Sequence, residues 1–461
     1  MTSSTQPVRK SAIGVASATA IGVGGMMGAG LYTLLGLAAT TAGVWLPVAF
    51  LVGGIVSLFS VYSYAKLGAR FPSRGGAAEF LIRCFGDGIV AGGLNIFQFL
   101  GWIIAMALYA AGFAGYARHL LPFDTPEWSG KAIGVGLVVV LILVNVLGSK
   151  LVGRSEMFVI AAELAIIAAF VVAACFKAEP GRFDQMGGDG IIGIFFAAGL
   201  LYVTYEGFGV VTNSAGDMSN PVKQLPRAMY QSLFIVILVY VVVSSLVVMV
   251  MSLSDIETNQ GHVLSDAGRA VLGQFGFVVV GAAALLATAS GVNATLFGDA
   301  NLAFTVAKTG EMPSYFARGV WRSGTWGLLL AGALTCAFVI FFPLAAVGQM
   351  ASLAFLIVYG TVSVGHLRVR RDTGANKWIL VLAIVLNLAL FCLLLGYAIT
   401  TGPASTWITL IVVLVLSFVA EYVYRRITGR ALRIWSPTAL PRPIAAATGT
   451  DEGRPQGRST R

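Results

Sequence analysis

Charged side chains are scarce: Asp, Glu, Lys and Arg make up 11% of the 461 residues against 57% hydrophobic, and mean hydropathy is +0.85. That balance excludes an ordinary soluble protein. Histidine occurs three times, and the four cysteines, Cys84, Cys175, Cys336 and Cys392, are scattered with no pair at metal-binding spacing. The cysteines therefore read as thiols of the core or of a lipid-facing surface. No nucleophile constellation and no His or Cys cluster is in register, so an enzyme, a resident metal and a cofactor are not expected. A phosphate-binding loop is missing as well: the cluster Gly24-Gly25-Met26-Met27-Gly28-Ala29-Gly30 has no strand pattern before it and no Lys-Ser/Thr pair behind it. The net charge of +10 would ordinarily suggest nucleic acid, but the basic residues sit in short segments between apolar runs, and no such partner is expected.

What the chain does have is apolar runs from end to end. They predict an all-α membrane protein with twelve transmembrane helices, at about 13-37, 42-66, 88-116, 131-149, 155-176, 190-213, 229-251, 274-300, 325-342, 344-366, 377-398 and 405-426. A signal peptide does not explain the first run, because its glycines continue into a long span and many others follow. Twelve crossings put both termini on one side. With that side inside, 25 of the 30 Lys and Arg are internal, and Arg118, Lys131, Lys177, Arg182 and Arg269 remain outside. The bias predicts a multi-pass protein of the cell (inner) membrane with cytoplasmic N- and C-termini. The expected divisions are a cytoplasmic N-terminus (1-12), two five-helix groups (13-176 and 190-366), two further helices (377-426) and a Pro- and Arg-rich tail (430-461) expected to be disordered. The outer segment 252-272, with Asp255, Glu257, His262, Asp266 and Arg269, is long enough for a short surface helix. Composition is silent on the oligomeric state.

Two spans are expected to be interrupted. The first holds the glycine cluster, and the sixth holds Tyr205-Glu206-Gly207-Phe208-Gly209, a carboxylate beside two glycines in an apolar run. Broken backbone at membrane depth is tolerated where it lines a polar cavity. A break exposes N–H groups that suit a carboxylate and C=O groups that suit an ammonium, so a zwitterionic amino acid fits between the two. Met27, Gly28, Ala29 and Gly30 are the candidate carboxylate side, and Tyr202, Tyr205, Glu206, Gly207 and Phe208 the candidate carbonyls and wall. A second reading stays open, in which these glycines only allow tight helix packing.

Several segments resemble those of the amino acid-polyamine-organocation transporter family. They are Met27-Gly28-Ala29-Gly30-Leu31-Tyr32, Tyr64-Ala65-Lys66-Leu67-Gly68 through Arg70-Phe71-Pro72 to Gly75-Gly76, Tyr205 to Gly209 with Asn220-Pro221 and Leu225-Pro226-Arg227-Ala228, and Gly298 to Met312-Pro313. The resemblance implies inverted five-helix repeats with helices 1 and 6 interrupted, two extra C-terminal helices, and secondary transport of amino acids or amines with proton coupling or exchange. The sixth helix is similar to that of broad-specificity, proton-coupled prokaryotic amino acid permeases. Members of that branch can carry a lysine in helix five, where this chain has Glu163.

Glu163 is thus the candidate coupling group, with Glu206 as second candidate. A carboxyl alone in an apolar helix can serve as a proton carrier, as one ligand of a real cation, or only as a structural hydrogen-bond partner. Glu206 beside the break would also read a substrate ammonium, which makes a polyamine or cationic amino acid carrier the alternative. Thr288 and Ser290 in span eight stand where sodium-coupled relatives place hydroxyl ligands, although such hydroxyls also bond their own helix. Asp299 is expected in a polar network with Lys66, Arg70 or Lys223.

Overall fold

With so little charge and such long apolar runs, the backbone polar groups find partners mainly in one another, and helix dominates. The computed structural model describes residues 13–73, 75–123, 125–147, 152–184, 187–308, 314–321, 324–430, 432 and 434. The N-terminal segment 1-12 and nearly all of the tail lie outside the described residues, as do Met312 and Pro313.

The first helices are α1 (Val15–Ala42), α2 (Leu46–Arg70), the short α3 (Gly76–Phe85), α4 (Ile89–Leu120), α5 (Glu127–Leu147) and α6 (Val152–Cys175). Next comes a broken helix, made of α7 (Gly190–Leu200), a 3-10 stretch at Leu201–Tyr205 and α8 (Phe208–Thr212). After it stand α9 (Pro221–Val250), α10 (Leu253–Thr258), α11 (Val263–Lys308), α12 (Trp326–Phe341), α13 (Leu344–Thr373), α14 (Lys377–Thr401) and α15 (Ala404–Thr428). A small antiparallel ribbon of β1 (Gly319–Trp321) and β2 (Gly324–Thr325) precedes α12.

By length and composition, ten helical stretches among the described residues are long and apolar enough to cross a membrane, and Val15–Gly28 and Trp326–Phe341 are shorter apolar helices. Local chemistry accounts for the boundaries. α9 starts eight residues earlier than the apolar run, because Pro221 suits a first helical position and the Asn220 side chain accepts from the Lys223 N–H. Thr325 caps α12 in the same way, and Pro343 separates α12 from α13. In α11, Gly273 adopts φ 64°, ψ −152°, which only glycine takes without strain. The segment before this kink is a largely buried helix that, with α10, supplies the helical parts of the stretch 252-272.

α1 lies at the centre, packed on α9, α11 and the broken helix, while α4 packs on α11, α13 and α15. The exposed positions of α5, α14 and α15 include Val140, Leu143, Leu388, Val415 and Leu416, an apolar surface suited to lipid. α15 is held to the start of α4 through Arg425, 1% exposed, which forms a buried pair with Glu421 on its own helix and bonds the largely exposed Asp87 just before α4 at 2.6 Å. Burial works against the ionised Asp87, but Arg425 and Arg430 outweigh it and hold its carboxyl below the usual value. Arg425→Leu strips Glu421 of its countercharge while Glu421 stays buried. Removing one partner of such a pair costs about 3–5 kcal/mol, so a clearly lowered melting temperature in detergent is expected, with Glu421→Gln in the same background restoring part of it.

Candidate substrate and coupling site

The sixth apolar span breaks where Glu206 and Gly207 interrupt it, and the break is tightened rather than unravelled. Backbone bonds run three residues back, from Glu206 N–H to the Val203 carbonyl and from Gly209 N–H to the Glu206 carbonyl. Groups that lose helical partners are met by hydroxyls of neighbouring helices. Ser352 of α13 donates to the Leu200 carbonyl and accepts from the Val203 N–H at 3.2 Å. Tyr359 of α13 donates to the Glu206 carbonyl at 2.9 Å, and Tyr240 of α9 lies 3.3 Å from the Thr204 carbonyl.

The first span behaves differently from expectation. α1 is helical throughout Val15–Ala42, with no interruption at the glycine cluster. The physical reason is that its glycines serve close approach. A methyl group at Gly28 would lie 2.8 Å from the Ala287 carbonyl oxygen, and one at Gly30 would lie 2.3 Å from Thr204 Cβ. Gly25 faces Gly207 backbone to backbone. The helix is nevertheless drawn on from outside: Tyr240 donates to the Met26 carbonyl at 2.6 Å and Tyr116 to the Tyr32 carbonyl at 2.9 Å. Met27 is buried, and the Ala29 side chain lies outside the described residues.

Both acidic candidates are buried. Glu206 is fully buried, with Oε1 accepting from the Tyr109 hydroxyl of α4 at 2.6 Å and Oε2 unpartnered. Glu163 on α6 is 3% exposed. The Tyr32 hydroxyl faces its carboxyl without closing a hydrogen bond of normal geometry, and Oε1 is unpartnered. Tyr240 lies within electrostatic reach of both carboxyls. The same hydroxyl holds carbonyls of α1 and of the break.

The remaining candidates separate. The Tyr202 hydroxyl pairs with Ser60 at 2.8 Å, and Asn387 of α14 bonds the same serine. Tyr205 donates to the Phe50 carbonyl of α2 at 2.7 Å. Both rings thus brace the broken helix against α2, and neither hydroxyl is directed at Glu206. Phe208 packs against Tyr64 and Tyr359, with ring centroids 5.5 and 4.8 Å away. Thr288 bonds the carbonyls of Ala284 and Leu285 on its own helix, and Ser290 is half-buried.

Beyond Phe208, towards the end of the bundle that holds α3, is a cavity of about 30 Å³ lined by Tyr64, Gln98, Asn213, Thr295, Asp299 and Tyr359, among others. It has room for a water or two but not for an amino acid. Asp299 is 2% exposed and neither carboxyl oxygen has a partner; the Tyr64 hydroxyl and Gln98 Oε1 are unpartnered as well. The expected network of Asp299 with Arg70 is not formed, and Arg70 instead bonds the Asp372 carbonyl at 3.0 Å. The tyrosines at 109, 240 and 359, and Ser352, were not marked by the sequence, because a single hydroxyl in an apolar run reads as part of a wall.

A family model described as amino acid permease matches residues 13–426. An uncharacterised protein of Methanocaldococcus jannaschii is 33% identical over 414 residues, covering 90% of this chain and 95% of that protein. The inner membrane transport protein YbaT of Escherichia coli is 30% identical over 419 residues, covering 90% and 96%. The branched-chain amino acid permease BcaP of Bacillus subtilis is 24% identical over 391 residues, covering 78% and 81%.

Proposed function

The chain belongs to the amino acid permease family of multi-span membrane transporters, which are not enzymes, and from this premise we propose that it moves amino acids across the cell membrane by proton coupling or exchange. One observation carries the reading most: the helix break at Glu206-Gly207 meets the glycine strip of α1 directly, with the buried Glu206 carboxyl at the break and the buried Glu163 carboxyl facing Tyr32 of α1. A substrate enters there only if α1 and the broken helix part, which is the movement that alternating access requires. Movement of α1 frees the Met26 carbonyl from Tyr240, and movement of the broken helix against α9 and α13 frees the Thr204 and Glu206 carbonyls from Tyr240 and Tyr359, for a substrate ammonium. Backbone N–H groups of Gly28 to Gly30 would receive the carboxylate once α1 loosens.

The proposed topology is twelve crossings in two inverted five-helix groups plus α14 and α15, with both termini cytoplasmic, following the distribution of Lys and Arg. α3 and the Asp299 cavity then lie towards the cytoplasm, where the substrate leaves, and α10 lies outside. Glu163 is assigned the coupling proton. Its neighbours Tyr32 and Tyr240 contact α1 and the break, so its protonation state is sensed where the helices must part. A neutral, branched substrate agrees with the name of the Bacillus subtilis relative.

Glu206 supports a second reading, a carrier of polyamines or cationic amino acids, because one of its oxygens is buried and unpartnered beside the break. Glu206→Gln distinguishes the two. A hydrogen bond to a charged group contributes about 1.5–3 kcal/mol, so if Glu206 binds a side-chain ammonium, uptake of cationic substrates falls about tenfold or more while neutral uptake changes little. The proposal for neutral amino acids expects no such selectivity. Competition assays in proteoliposomes with leucine, lysine and putrescine read the difference.

A further inference from the structure

At the end of the bundle opposite the Asp299 cavity, two of the three histidines meet on one carboxylate. His119, in the last turn of α4, has Nε2 at 2.9 Å from Asp266 Oδ1, and His262, one turn before Asp266, has Nδ1 at 2.7 Å from Oδ2. The imidazoles stack with centroids 3.4 Å apart and planes 13° from parallel. One ligand atom from each residue lies within 4.8 Å of the others. All three side chains are partly exposed, at 25%, 20% and 13%. His119 and His262 border an open cavity of about 800 Å³, which gives solvent a way in.

We infer that His119, His262 and Asp266 form a site for a borderline-soft divalent cation, zinc foremost, that fastens the end of α4 to the start of α11. Two imidazoles and one carboxylate, with a fourth position open to water, are a donor set zinc takes readily. Tetrahedral bonds of about 2.0–2.2 Å put ligand atoms roughly 3.4 Å apart. Ligation opens the present N···O separations by some tenths of an ångström and turns the two imidazoles out of their parallel stack, so that both ring nitrogens point at one ion. The helical i,i+4 spacing places His262 and Asp266 on one face, and the partner from α4 is 147 residues away from Asp266 in sequence. Ligation requires both nitrogens to give up the proton now pointing at the carboxylate.

Arg118 and Arg269 line the same cavity and weaken cation binding, but both guanidinium groups are engaged elsewhere. Arg118 bonds Thr125 through its side chain and carbonyl at 2.9 and 3.0 Å, and Arg269 lies 3.9 Å over the Phe277 ring.

Fastening α4 to the start of α11 restrains the outer face, so external zinc slows transport. That consequence rests on the proposed topology and function, whereas binding itself does not. The full-length protein in detergent, equilibrated with zinc and desalted, is expected to retain about one zinc per chain. His119→Gln and His262→Gln each lose it, and His366→Gln, at the third histidine, keeps it. Zinc content that is absent in the wild type, or unchanged in the two site variants, overturns the site. In proteoliposomes, zinc added outside is expected to cut uptake several-fold, reversibly with chelator, in the wild type but not in His262→Gln. Uptake indifferent to zinc in a protein that binds it overturns the restraint on the outer face.

Discussion

Glu163→Gln abolishes uphill uptake driven by a pH gradient while leaving exchange of labelled for unlabelled substrate intact. Glutamine resembles the protonated carboxyl in shape and charge, so the variant remains in the proton-loaded form. It can carry substrate back and forth, but it no longer releases a proton as it does so. One pH unit is worth about 1.36 kcal/mol, which is a tenfold concentration ratio for one coupled proton. Under a gradient of one unit, the wild type is expected to accumulate substrate up to about tenfold above equilibrium and the variant not at all. Radiolabelled uptake and counterflow in the same proteoliposomes make both measurements. Accumulation by Glu163→Gln equal to wild type removes Glu163 as the coupling group. Accumulation lost in Glu206→Gln instead would transfer the role to the other carboxyl.

Gly207→Ala has a comparably large effect for a different reason. A methyl group there would lie 2.3 Å from the Gly25 carbonyl carbon and 2.4 Å from the Met26 nitrogen. These are backbone atoms, so no side-chain rotation relieves the clash, and α1 must move away from the break. Overpacking of this kind costs about 1–3 kcal/mol. It also holds apart the two helices whose meeting closes the site, so a fall in uptake of about tenfold or more is expected together with a lowered melting temperature. Gly25→Ala is the control. Its added methyl group would lie 3.3 Å from Gly207 Cα, a contact that a small shift absorbs, and a much milder loss is expected. Equal effects at the two positions would show that glycine is needed for flexibility rather than for space.

Much of the architecture was legible in the sequence because a bilayer imposes length and apolarity on every crossing. The apolar runs located the long helices, whereas the early start of α9 at Asn220-Pro221 and the kink of α11 at Gly273 emerged from cap and turn chemistry in the structure. The break at Glu206-Gly207 was legible because a carboxylate beside two glycines has no place in an unbroken apolar helix. Gly24 to Gly30 carried the same local signal with a different outcome. Whether such glycines break a helix or admit a neighbour depends on what stands opposite, here Gly207, Thr204 and Ala287, and no local pattern encodes that. The hydroxyls of Tyr109, Tyr240, Tyr359 and Ser352 were hidden for a related reason. Each is one polar atom on a bulky or small residue within an apolar run, and its role exists only once α4, α9 and α13 surround the break. His119 and His262 likewise acquire meaning only when α4 and α11 come together.

The central claim is that this permease carries amino acids and couples their movement to protons through its buried carboxyls. Purified protein in proteoliposomes, with an imposed gradient acidic outside and abolished in a parallel sample, tests it with labelled leucine and labelled putrescine. The account predicts leucine accumulation that requires either the gradient or a counter-substrate inside, competed by neutral amino acids and not by putrescine. Putrescine uptake that neutral amino acids fail to inhibit, with no leucine entry under either condition, would contradict it.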